Sequence, residues 1–300
     1  MPTSSTLKRR RSASSTWSLP FLLPGALFLG VFAVYPLAQL VRMSVSAVTS
    51  ANLTQAWPFS GMDNFAQGWA GGNTQSATLT TVAFVVIVTV VGVVGGLGAA
   101  IALRHTSRAS ALLLGLLIFV WALPPVVNGS VWKFLLGENG LLNVVIRSMG
   151  LDAVPFLYSS SLALVSVAMV NSWAIIPFNA LVFRAAILGV PEEVFEASQL
   201  DGASKWQQIR YVLVPSVKPA MLVLIVLTIV YAFRSFDFIY VMTFGGPGTA
   251  TNTLPFLGYL QAFIRFDFGL GASTAVIALL LVIVLAVVYA RSVRKEERDS

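Results

Sequence analysis

Scattered through long apolar runs are side chains that can hydrogen-bond: Asn128, Asn171, Asn179, Tyr231, Arg234, Ser235, Asp237 and Tyr240, with Trp173 among them. Polar and ionisable groups at membrane depth are functional candidates by default. Amides and hydroxyls beside aromatic faces suit a ligand that carries both hydrogen-bonding groups and apolar patches. Bond-making chemistry is harder to find. The chain has no cysteine and a single histidine, His105, which excludes disulfides, iron–sulfur clusters and Cys/His zinc sites. Neither a G-x-x-x-x-G-K-[ST] loop nor a G-x-S-x-G or H-E-x-x-H motif occurs, so no ATP site, hydrolase elbow or zinc protease is expected. Catalytic residues, a metal and a bound cofactor are all expected to be absent.

Asn128, Asn171, Trp173, Tyr231, Arg234, Asp237 and Tyr240 form the expected solute-path set. Each has a plainer alternative. Arg234 and Asp237, three apart, are expected on one helical face, where they either neutralise each other or meet a solute. Asn171 either lines a path or bridges two helices, a bond worth about 0.6 kcal/mol.

The elements that carry these groups belong to a membrane. Apolar residues make up 57% of the chain and charged ones only 10%, against roughly 45–50% and about 25% in soluble domains. A bilayer core needs about 20 apolar residues per helix, and six such runs are present, at 19–41, 79–103, 111–135, 161–183, 220–242 and 272–290. Pro124-Pro125 predicts a kink in the third run. The first run follows Lys8–Arg11, yet it is longer than a signal-peptide core and has no clean cleavage site. It reads as an uncleaved span.

Of the 19 Lys and Arg residues, all but Arg42, Lys133, Arg147, Arg234 and Arg265 fall on the side that also holds both termini. The positive-inside rule makes that side cytoplasmic. The net charge of +7 is therefore a topology signal rather than a nucleic-acid footprint. The expected organisation is a cytoplasmic tail at 1–18, a six-span domain at 19–290 and a cytoplasmic tail at 291–300.

Between spans four and five lies a charged cytoplasmic insert, residues 190–219. Pro191 suits the first turn of a helix, and Glu192, Glu193 and Glu196 follow near the positive end of its dipole. Val194, Ala197 and Leu200 predict an apolar stripe, and Asp201-Gly202 a stop. Ser204 and Gln207 have capping-box spacing for a second helix, with Trp206, Ile209 and Leu213 as its apolar face and Pro215 at its end. A linker would need about 2–8 residues. The insert reads as a docking surface for a cytoplasmic partner.

Gly92 and Gly96 predict close helix packing in span two. Trp57, Phe59, Phe65 and Trp69, in the external segment 44–78, predict interfacial anchoring or contact with an external protein.

The stretch "EASQLDGASKWQQIRYVLVPSVKP" closely resembles the EAA loop of ATP-binding-cassette importer permeases. Glu196, Ala197, Asp201, Gly202, Ala203, Pro215 and Pro219 match that pattern, whereas Ser198 and Val214 replace its usual alanine and leucine. "LLPGALFLGVFAVYPLAQLVRMS", "GMDNF" and "FDFIYVMTFGGPGTATNTLPFLGYLQAF" resemble the carbohydrate branch, of maltose and glycerol-3-phosphate type, so the likeness covers most of residues 20 to 290. It implies an all-α, six-span type I importer permease fold with a coupling helix in the insert, in the bacterial inner membrane. It further implies a non-catalytic pore subunit for a sugar, with a second homologous permease, an external substrate-binding protein and a separate ATPase dimer holding ATP and Mg. The ATPase-coupling residues would be Glu192, Glu196, Ala197, Asp201, Gly202, Ala203 and Pro215, with substitution at Gly202 causing clash or strain. The competing classes are a stand-alone ion-coupled transporter, disfavoured by the lack of an internal repeat, and an intramembrane enzyme, disfavoured by the scarcity of acids and histidine in the spans.

Overall fold

The computed structural model describes residues 19–105 and 107–299, so Lys8–Arg11 and the tail they belong to lie outside the described residues. Helices account for the architecture; the β-contacts among the described residues are two isolated bridges, Ser46 with Phe59 and Thr49 with Asp267.

Four of the six apolar runs are continuous spanning helices: Leu22–Ser44, Asn73–Ala102, Ala163–Leu188 and Phe268–Val287, the last extending as a helix to Asp299. The first contains a π turn at Gly30–Val34 just before Pro36, where the wider turn absorbs the missing N–H. Its apolar window buries nothing within the chain.

The other two runs are broken, and the count reaches six when Arg108–Ala122 with Pro125–Leu135, and Lys205–Ser216 with Lys218–Phe233, are each taken as one span. The third is bent by 101° between Arg108–Ala122 and Pro125–Leu135. Leu123 and Pro124 are extended there, with ψ of 133° and 136°, because a proline forces its predecessor out of the α region. The fifth stops at Phe233 and restarts as Asp237–Met242. The expected shared face of Arg234 and Asp237 is therefore corrected: the helix that would align them is interrupted between them. Both side chains are exposed.

Spans two and four form the tightest pair. Gly92, Gly95 and Gly96 supply the approach: a Cβ on Gly92 would lie 2.9 Å from Ile175 Cγ2, one on Gly95 2.7 Å from Ile176 Cδ1, and one on Gly96 would overlap Asn179. The close-packing reading of this stripe stands. Phe84, Val88, Val167 and Phe183 fill the surrounding core without exposure to solvent.

The end of the bundle that carries the insert is sealed by Val93, Ala100, Phe183, Ile187, Leu213, Val217 and Leu224. Arg184 Nε donates to the Leu103 carbonyl there, at 2.9 Å, closing the end of span two. At the far end, Asn64 Nδ2 donates to the carbonyls of Ser44 and Ser46, at 3.0 and 2.9 Å, and so fastens the segment after span one. Arg42 lies over the Trp57 ring, 5.0 Å from its centroid.

Candidate functional site

The insert folds as the capping signals require. Pro191 is the N-cap rather than the first helical residue, and the helix runs Glu192–Leu200 with Glu192 and Glu193 in its first turn. Gly202 takes φ +77°, and two bonds characteristic of a glycine-ended helix close the turn: Gly202 N–H to the Gln199 carbonyl and Ala203 N–H to the Ser198 carbonyl, both 3.0 Å. Ser204 then caps the next helix, its N–H donating to Gln207 Oε1 at 2.7 Å while its Oγ accepts from the Gln207 N–H at 3.4 Å.

That second helix passes through a π turn, Gln208–Leu213, and ends at Ser216, one residue beyond Pro215. The wide turn lets Pro215 sit in helical backbone without a donor. Lys205–Ser216 meets Lys218–Phe233 at 70°.

The two faces of the insert differ. Phe195, Val214 and Leu213 turn inward onto the sealed bundle end. The predicted stripe of Val194, Ala197 and Leu200 turns the other way and has no cover; Leu200 is 89% exposed and Trp206 69%. Glu192, Glu196, Asp201, Gly202 and Pro215 are exposed as well, and Ala203 is half-buried. Beside the first helix, Arg104 and His105 face Glu192, Glu193 and Gln199 across a cleft of about 620 Å³.

Of the path residues, Asn171 is fully buried. Its Nδ2 donates to Ser235 Oγ at 2.5 Å, inside the break of span five, and its Oδ1 is buried with no partner. Tyr231 packs against the core, and Asp237 lies near it. Trp173 is 41% exposed and meets Trp132 edge-on, with centroids 6.1 Å apart. Asn128 is buried on the far piece of span three, next to Gly129, whose face meets Phe238 and Val241. Asn179 bridges spans four and five, its Nδ2 donating to Thr228 Oγ1 at 3.1 Å.

The structure thus gathers Asn171, Ser235 and Tyr231 around the break, with Arg234 and Asp237 on its exposed side. Tyr240 belongs to a second group that sequence reading missed. It stacks on Phe236 and touches Phe244 and Tyr259, all with centroids 5.4 to 5.9 Å apart. Desolvation first, and Tyr240 second, hold the Tyr259 phenol above its ordinary value. Phe236 and Phe244 stand four residues on either side of Tyr240, whereas Tyr259 comes from an 11-residue apolar helix, Leu254–Ile264, so tertiary contact is what completes the group.

Comparison with known proteins places this geometry. Residues 92–298 match the family described as "Binding-protein-dependent transport system inner membrane component". The sn-glycerol-3-phosphate transport system permease protein UgpA of Pectobacterium atrosepticum is 31% identical over 94% of this chain and 96% of its own length. The trehalose/maltose transport system permease protein MalF of Thermococcus litoralis is 27% identical over 77% of this chain and 79% of its own. In fold, the chain is similar to a subunit of a bacterial ABC transporter involved in the import of the acidic polysaccharide alginate, with a TM-score of 0.79 at 19% identity over 93% of this chain and 96% of that one. This chain belongs to the family of inner membrane components of binding-protein-dependent transport systems.

Proposed function

We propose that this chain is one of two homologous pore-forming subunits of an ATP-driven importer for a sugar or sugar-like solute delivered by an external binding protein. The observation that carries the reading is the two-faced insert. One face is built into the bundle end, and the other leaves Val194, Ala197, Leu200 and Trp206 bare beside Glu192 and Glu196. An apolar strip on a charged amphipathic helix fits a groove on another protein. The partner is a separate ATPase dimer, which holds the ATP and Mg; this chain binds no cofactor and hydrolyses nothing. The distribution of Lys and Arg supports a cytoplasmic position for the insert and both termini.

The ATPase moves the insert, the bend at Ser216–Lys218 passes that motion to span five, and the solute passes near Asn171. The buried, unpaired Oδ1 of Asn171 supports a role in meeting the solute, because such an atom costs free energy until it finds a donor. Trp173, Tyr231 and Tyr240 supply aromatic faces; Asn128, Arg234 and Asp237 complete the set. The names of the relatives, which concern trehalose/maltose and sn-glycerol-3-phosphate, support a polyhydroxylated solute.

Purification of the chain from detergent-solubilised membranes, wild type beside a Glu196→Ala/Gly202→Val variant, tests the reading. Wild type should bring down an ATPase and a second permease, and the variant should lose the ATPase. Recovery of the chain alone or as a homo-oligomer would point instead to a stand-alone ion-coupled transporter.

A further inference from the structure

We infer that Lys133 is a positioning residue that straps the far pieces of spans three and five into one moving body. The inference rests on the transport reading above. Both spans are interrupted, span three at Leu123–Pro124 and span five at residues 234–236. Beyond the breaks, Pro125–Leu135 and Asp237–Met242 lie against each other. A Cβ on Gly129 would sit 3.5 Å from Phe238 Cδ1 and 3.7 Å from Val241 Cβ, ordinary contact distances that place this face of one helix directly against the other. One turn further along the same face, Lys133 Nζ donates to the Val241 carbonyl at 2.9 Å.

That carbonyl is in the last turn of a helix that ends at Met242, where it lacks an intrahelical donor. An ammonium at a helix C-terminus satisfies the carbonyl and meets the negative end of the dipole. Asp237–Met242 has only 6 residues, too few to hold together or to keep its bearing without tertiary support. The near pieces have contacts of their own: Asn179 with Thr228 links Lys218–Phe233 to span four, and Trp121 stacks on Phe178 just before the break in span three. The far piece of span three is held to span four by Trp132 against Trp173, and Lys133 fastens the six-residue piece of span five to it. Motion that reaches one is delivered to both.

The test uses the assembled importer in nanodiscs. The chain has no cysteine, so Val131→Cys with Phe244→Cys gives a spin-label pair across the strap, and Val131→Cys with Met169→Cys gives a reference to span four. Lys133→Met should broaden the first distance distribution and leave the second unchanged. It should also lower substrate uptake per ATP hydrolysed about threefold, the worth of one exposed hydrogen bond. Lys133→Arg should restore both readouts. A wild-type distribution in Lys133→Met, or a broadened one with uptake unchanged, would overturn the inference. So would a loss of uptake with both distributions intact. Absence of ATP-coupled uptake in the wild-type complex is a separate result, directed at the transport reading, and the distances report on the strap regardless.

Discussion

Replacing Gly202 probes the joint between the two helices of the insert with little side effect. Its φ is +77°, and a Cβ built there meets nothing within 4 Å. Of the expected clash or strain, strain is the one that the structure supports: the site is open within the chain, and the penalty there is conformational. An L-residue in the left-handed region costs roughly 1–2 kcal/mol. Gly→Ala recovers about 0.4–1 kcal/mol by restricting the unfolded chain, which leaves a net loss on the order of 1 kcal/mol for the turn. That loss matters because the helix it closes has 9 residues, below the ~12–15 at which isolated helices become even marginal.

Gly202→Ala should then lower substrate-stimulated ATP hydrolysis in proteoliposomes by roughly fivefold, as about 1 kcal/mol implies. Gly202→Val should lower it further, since a β-branched residue is a genuine outlier at positive φ. Gly202→Asn should stay near wild type because asparagine tolerates that region; for the same reason aspartate is a poor probe. If Asn fails as badly as Val, the requirement is for space at the partner surface rather than for backbone freedom, and the argument from φ is wrong.

Other perturbations separate packing from function. Gly96→Leu should prevent spans two and four from closing and abolish stably folded protein, seen as loss of a monodisperse peak after detergent extraction; normal yield would refute the packing argument. Leu200→Glu with Trp206→Glu should leave folding intact but release the ATPase, with affinity down at least ~30-fold if the pair contains a hot spot worth about 2 kcal/mol; undiminished co-purification would exclude the bare face as the docking surface. Asn179→Ala and Thr228→Val, combined in a double-mutant cycle of thermal unfolding, should show coupling near 0.6 kcal/mol. A coupling of zero would mean that their hydrogen bond does not hold the helices.

Local signals read well from the sequence, whereas faces and breaks did not. The capping box at Ser204 and Gln207 and the glycine turn at Gly202 depend on residues a few positions apart, and both formed. The bend at Pro124 was announced by proline. The break at residues 234–236 was not, since "RSF" contains neither Pro nor Gly and the flanking hydropathy is continuous. What marks it is Ser235 bonding Asn171, 64 positions away. Periodicity placed Val194, Ala197 and Leu200 on one stripe but could not say whether that stripe served this chain's own core or another protein. Phe195, off the stripe, took the inward place. The aromatic group around Tyr240 was legible only in part: Phe236 and Phe244 flank it at four-residue spacing, but Tyr259 joins from the helix beyond the loop at residues 243–253.

The 70° corner at Ser216–Lys218 makes the insert and span five a bell-crank. Its short arm, Lys205–Ser216, is ~18 Å long and its long arm, Lys218–Phe233, ~24 Å, at about 1.5 Å per residue. Val217 at the corner is fully buried and forms the fulcrum. If the corner stays rigid, a stroke of about 2 Å at Lys205 becomes about 2.7 Å beside Arg234, by the ratio of the arms. That travel is close to the difference between a hydrogen bond made and one broken. A crank of this size has mechanical advantage below one: it would exchange force for distance, so that a push applied at Lys205 would arrive as a longer, gentler sweep at the Asn171–Ser235 contact.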